Sequence, residues 1–75
     1  MEIRIGVMES QKEITLQMDG KPEDVAKHID DSLKDESGVL WFVDQNGKRV
    51  GVPVPKLAYV EIEADTPPRP VGFHP

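Results

Sequence analysis

Seventy-five residues allow one small domain, and a chain this short buries only roughly 60% of the surface its unfolded form exposes, so every large apolar side chain counts. Nine basic against fourteen acidic side chains give a net charge of -5, which repels phosphate backbones and argues against a nucleic-acid partner. There is no cysteine for disulfides or thiolate zinc sites, and neither a leader-like segment nor a bilayer-spanning apolar run, so a soluble cytoplasmic protein without a membrane partner is expected.

In chain order, residues 2 to 8 alternate, with Ile3, Ile5 and Val7 on one face and Arg4, Gly6 and Met8 on the other. Residues 13 to 18 repeat the pattern, with Ile14, Leu16 and Met18 inward and Glu13, Thr15 and Gln17 outward. Two runs of period two joined by Glu9-Ser10-Gln11-Lys12 predict a hairpin with one buried face. Gly20 then breaks the strand, and Pro22, Glu23 and Asp24 open a helix, because Pro needs no N–H there and acids suit the positive end of the helix dipole. Lys21 stands where a Ser, Thr or Asp cap is usual, which leaves this end weakly capped. The apolar stripe is Val25, Ile29 and Leu33, with Ala26 alongside, and it predicts a lid over the first hairpin. Glu23/Lys27 and Asp30/Lys34 are spaced as acid-before-base pairs at i,i+4 on the opposite face, and Ser37-Gly38 is expected to close the helix.

The central stretch Gly38–Ile62, GVLWFVDQNGKRVGVPVPKLAYVEI, holds the only Trp and the only Tyr. Its turn Asp44-Gln45-Asn46-Gly47 can be a two-residue Asn-Gly loop or a type I turn with Gly47 as a left-handed bulge. In the first register Trp41 lies across from Val52 and Phe42 from Gly51; in the second Phe42 faces Val50, Leu40 faces Val52 and Trp41 lies over Gly51. A one-residue slip exchanges the faces, so this choice decides which aromatic is core. The bulge is favoured because the Asp44 carboxylate can accept the turn's N–H groups, although the Asn-Gly register collects the more apolar face. Pro53 and Pro55 suit an edge or corner. The last strand, Leu57–Ala64, is read with Ala58, Val60 and Ile62 inward and Tyr59, Glu61 and Glu63 outward. Residues 1–64 thus form the domain, and DTPPRPVGFHP, residues 65–75, reads as a Pro-rich extended or disordered tail with Phe73 as its one sticky residue. The expected core is Ile5, Leu16, Val25, Ile29, Phe42 and Val60.

The motifs MEIRIGV, Pro-Glu-Asp-Val, GKRVGVP, LAYVEI and the closing Val-Gly-Phe together resemble a family of small actinobacterial proteins gathered as a domain of unknown function. The resemblance covers nearly the whole chain. It implies a small cytoplasmic αβ domain with no established activity and no known functional residues. Residues 1–33 are also similar to the opening of ubiquitin-like β-grasp domains. The chain ends Gly72-Phe73-His74-Pro75 instead of Gly-Gly, so sulfur-carrier or conjugation chemistry does not carry over.

The expected fold is α+β in the order ββαβββ, a mainly antiparallel sheet of about five strands packed on one helix. The arrangement is β-grasp-like, but a true β-grasp sets the last strand parallel to the first, whereas counting reversals here makes them antiparallel, so either the Pro53–Lys56 corner is not a true reversal or the β-grasp likeness fails. Asp24, His28 and Asp31 are the candidate metal ligands, two carboxylates and an imidazole on one flank of the helix with no distant partner. The carboxylates Glu61 and Glu63, alternating with Tyr59 on one strand face, are the paired acids that could do proton transfer, but no pocket is implied. Ser10 and Ser37 have no partner base, and no phosphate-binding glycine loop is present. No catalytic residue and no cofactor are therefore assigned. One helix covers one side of a sheet, and the open side should carry Val39, Trp41, Val43, Leu57 and Tyr59 beside Arg49, Glu61 and Glu63. Trp41, Arg49, Gly51, Tyr59 and Glu61 are the candidate binding surface of a non-enzymatic adaptor that binds a protein or itself. Lys12–Met18 is the strand expected to leave an edge open for self-pairing. The alternative is a metal- or small-ligand-binding component of an enzyme.

Overall fold

The computed structural model describes residues 1–64, and the alternating runs become five strands and one helix. These are β1 Glu2–Val7, β2 Ile14–Gln17, α1 Pro22–Leu33, β3 Val39–Val43, β4 Arg49–Pro53 and β5 Leu57–Glu63, with a 3-10 turn over Val54–Lys56. The α+β class and the ββαβββ order are as expected. The strands part into two antiparallel sheets, β2-β1-β5 and β3-β4, where one sheet of about five was expected. The tail 65–75, with the extended or disordered state read for it, lies outside the described residues.

β1 runs antiparallel to β5, with Ile3 opposite Ile62 and Ile5 opposite Val60, so the parallel pairing of a β-grasp is absent. The Val54–Lys56 turn links β4 to β5 and so joins the two sheets. Val54 N–H donates to Gly38 C=O at 3.0 Å, tying the turn to the base of the β3–β4 hairpin, and Met8 N–H donates to Lys56 C=O at 2.7 Å, starting the next ladder. Between the pairs Gly6↔Tyr59 and Val7↔Leu57 the register shifts, which leaves Ala58 as the extra residue of a bulge. The bulge corrects two facings: Leu57, expected on the open face, packs on the core, and Ala58, expected inward, is exposed.

The hairpin β3–β4 adopts the bulge register, with Leu40↔Val52, Trp41↔Gly51 and Phe42↔Val50. Asp44 organises it: its Oδ1 accepts the N–H groups of Asn46 at 2.9 Å and Lys48 at 2.8 Å, while Gly47, at φ 85°, donates to Asp44 C=O. A side chain there would be strained, which is why glycine occupies the position.

α1 begins at Pro22 and, as expected, Lys21 supplies no side-chain cap. It ends at Leu33, before the Ser37-Gly38 stop read from the sequence. Lys34 and Asp35 donate to Asp31 and Ser32 in tight i,i+3 bonds, and the Asp35 carboxylate then accepts both the N–H and the hydroxyl of Ser37. Leu33, beyond the last covered turn, is 40% exposed and not part of the lid. Val25 and Ile29 are the buried helix residues, and they meet Ile3, Ile5, Leu16, Leu40, Phe42 and Val52. Val60 packs against this cluster half-buried, and Met1 belongs to it although the sequence reading did not place it there.

Candidate functional site

Two surfaces carry the candidate residues. The first is the outer face of β3–β4. Strand alternation sends Leu40 and Phe42 into the core and leaves Val39, Trp41 and Val43 outward, at 42, 54 and 49% exposed. Trp41 and Gly51 form a cross-strand pair, and the indole lies on the glycine: a Cβ added to Gly51 would stand 2.8 Å from Cζ3 of the ring. Arg49 closes one side of a shallow hollow of about 230 Å³ that Trp41 and Val43 also line.

The backbone beneath Trp41 is held by the helix. His28 Nε2 lies 2.7 Å from Trp41 C=O, and because a carbonyl only accepts, this nitrogen carries the proton. The imidazole also stands edge-on to Phe42, with centroids 6.4 Å apart at 82°. His28 is thus a clamp between α1 and the edge of β3, and its Nε2 is unavailable to a metal. Asp31 accepts from Lys27 at 3.1 Å and lies 3.5 Å from Lys34, and Lys27 holds its carboxyl below the usual carboxylate range, first by hydrogen bond and then by charge. The pairs Glu23/Lys27 and Asp30/Lys34 are replaced by these two, both centred on Asp31. Among the described residues no group of three or more His, Cys, Asp or Glu could hold a metal ion, and Asp24, His28 and Asp31 are not brought together as one.

The second surface is the outer face of β2-β1-β5. Tyr59 lies over Gly6, where a Cβ would come within 2.1 Å of its ring, and its hydroxyl donates to Glu13 Oε2 on the far side of β1. The bond to Glu13, partial desolvation and the charge of Glu13 together raise the phenol above its ordinary value near 10.0. Beside it, Arg4 Nε donates to Glu2 Oε2 at 2.6 Å, and the guanidinium lies 3.7 Å from Glu61 and 3.6 Å from Glu63. The hydrogen bond and charge of Glu2, then the charges of Glu63 and Glu61, raise the Arg4 pKa.

The five candidate binding residues therefore divide. Trp41, Arg49 and Gly51 share the outer face of β3–β4, while Tyr59 and Glu61 belong to the other sheet. Trp41 and Tyr59, both expected on one open face, lie on different sheets, and among the described residues no ring contact joins them. The partners of Tyr59, Gly6 and Glu13, were not singled out from the sequence. Their signal was that Gly6 on β1 and Glu13, just before β2, both fall on the outward parity of the alternating runs, but the strand pairing that makes them neighbours of Tyr59 is non-local. No helix among the described residues is long and apolar enough to cross a membrane.

Residues 1–74 match the family described as "Protein of unknown function (DUF3107)", and the chain belongs to it. No curated protein matches the chain.

Proposed function

Starting from a family without an assigned activity, we propose that this protein is a non-enzymatic interaction module whose contact surface is the outer face of β3–β4, centred on Trp41. The observation that carries the reading is an exposed Trp between two exposed valines on one strand, with its backbone clamped by His28 and its ring seated on Gly51. Exposed apolar area of this kind is a cost in solution unless it is covered by something. A tryptophan whose position is already set loses little freedom on binding and has the size and indole N–H of an anchor. Arg49 at the rim favours a polypeptide partner that brings an apolar side chain flanked by a carboxylate. The net charge of -5 supports a polypeptide over a nucleic acid.

The test uses the isotope-labelled 75-residue chain in extract of its native cell. Partner binding should shift and broaden the Trp41 indole N–H and the methyls of Val39 and Val43, and Trp41→Ala should lose this response while keeping the amide spectrum of the fold. A response that persists in Trp41→Ala, or that maps to α1 around Asp24, His28 and Asp31, defeats the proposal. Sedimentation over a concentration series separates a foreign partner from a second copy.

A further inference from the structure

We propose that the outer edge of β5 is a strand-addition site for an extended polypeptide segment in which Lys or Arg alternates with apolar residues. The ladder's parity places the free groups. Met1 and Met18 exchange both hydrogen bonds, at 3.0 and 2.9 Å, so residues 1, 3 and 5 turn their backbone groups toward β2 and residues 2, 4 and 6 turn theirs toward β5. From the register, Tyr59, Glu61 and Glu63 bond to β1, and Val60 and Ile62 direct their N–H and C=O groups away from the sheet. Among the described residues no strand lies there.

The other edges are guarded. β2, which the sequence marked as the open edge, is four residues long, and its Gln17 C=O already accepts Gln45 N–H at 2.8 Å. On β3 the Trp41 carbonyl is taken by His28, and β4 ends in Pro53, which has no donor. β5 is seven residues long and contains no proline, and after the Ala58 bulge it is regular. A long, regular, unblocked edge is a template for another chain.

Charge selects the occupant. Among the described residues, the outer face of β1 and β5 beside this edge sets Glu2, Glu61 and Glu63 around the guanidinium of Arg4, and a shallow groove of about 420 Å³ runs along Glu2, Arg4, Glu61, Ile62 and Glu63. Glu61 and Glu63 are 60 and 67% exposed and only loosely engaged by Arg4, so both can accept a further cation. A strand added roughly 4.8 Å away sets alternate side chains beside these two glutamates and the intervening ones beside the half-buried Val60 and Ile62. Lys or Arg fits the first set and Val or Ile the second. A second copy of β5 fits poorly, because it brings the same excess of carboxylates to the shared face.

The experiment takes the full chain and follows amide exchange residue by residue. In the free protein Val60 and Ile62 should exchange fast while Tyr59, Glu61 and Glu63 are protected. Slow exchange at Val60 and Ile62 in dilute monomer means that the chain covers its own edge, and protection that grows with protein concentration means that a second copy does; either result overturns the proposal. An alternating Arg-Val peptide should then protect Val60 and Ile62. A peptide of the same composition with its arginines in one block, and an alternating Glu-Val peptide, should bind roughly tenfold more weakly or worse. Equal binding by the blocked peptide would show charge attraction without strand pairing and would also overturn it. The double variant Glu61→Lys/Glu63→Lys changes two exposed side chains and should reverse the preference between the two alternating peptides. The Trp41→Ala variant should bind the Arg-Val peptide as the parent does, which keeps this site separate from the surface on β3–β4.

Discussion

Trp41 stands directly across from Gly51, and its ring occupies the space where a Gly51 side chain would be. The pair alternates with the hydrogen-bonded pairs Leu40↔Val52 and Phe42↔Val50, so the two strands approach most closely where the large residue meets the absent one. Gly51→Ala should push the indole off the strand. The cost should be about 1 kcal/mol in urea unfolding, because an exposed ring can move aside more cheaply than a core residue can. Native emission should be red-shifted and quenched by iodide. A blue-shifted, unquenched signal would contradict a half-exposed ring.

Gly6 and Tyr59 repeat the arrangement with less room to yield. A methyl at Gly6 would come within 2.1 Å of a ring that is also tied by its hydroxyl to Glu13. Gly6→Ala should therefore cost more than Gly51→Ala, about 1–3 kcal/mol. Ranking the two variants by denaturation midpoint checks the difference.

The same tyrosine sets a pH dependence. Its folded pKa is raised above the ordinary value near 10.0, so between the unfolded and folded values the folded state binds more protons than the unfolded one. The contribution is fully present below pH 10 and is lost as pH rises through the folded value. Ultraviolet titration should find tyrosinate forming later than in the denatured chain, and Glu13→Gln should bring it back toward the ordinary value.

Ile29, together with Val25, carries α1 into the core, and Ile29→Ala should cost roughly 2–4 kcal/mol. In a domain of this size that approaches the whole stability. A variant that melted like the parent would show that the helix is not a lid.

Asp44 should matter far beyond its exposure. One carboxylate oxygen accepts two backbone N–H groups of the turn, so Asp44→Ala should destabilise by about 1 kcal/mol or more, and Asp44→Asn by less. Loss of the Trp41↔Gly51 contact in the Ala variant, read by cross-strand nuclear Overhauser effects, would mark a register slip.

What the sequence by itself determined is local. The Asp44-to-Gly47 turn carries its own acceptor and its own positive-φ residue, and with them the register that buries Phe42 and exposes Trp41. The start of α1 at Pro22 and the inward parity of Ile3, Ile5 and Leu16 were legible for the same reason, since each follows from residues a few positions apart. Tertiary structure decided what depends on pairing between distant segments. The division into two sheets, the Ala58 bulge that exchanged Leu57 and Ala58, and the settling of Tyr59 over Gly6 and against Glu13 all involve strands more than forty residues apart. The use of His28 to hold the Trp41 carbonyl, thirteen residues along the chain, needed α1 and β3 to be packed together, and it turned a candidate ligand into a clamp. Period-two alternation fixes which face a side chain takes but says nothing of which strand lies beside it. The candidate surface therefore resolved into two faces only once the ladders were formed.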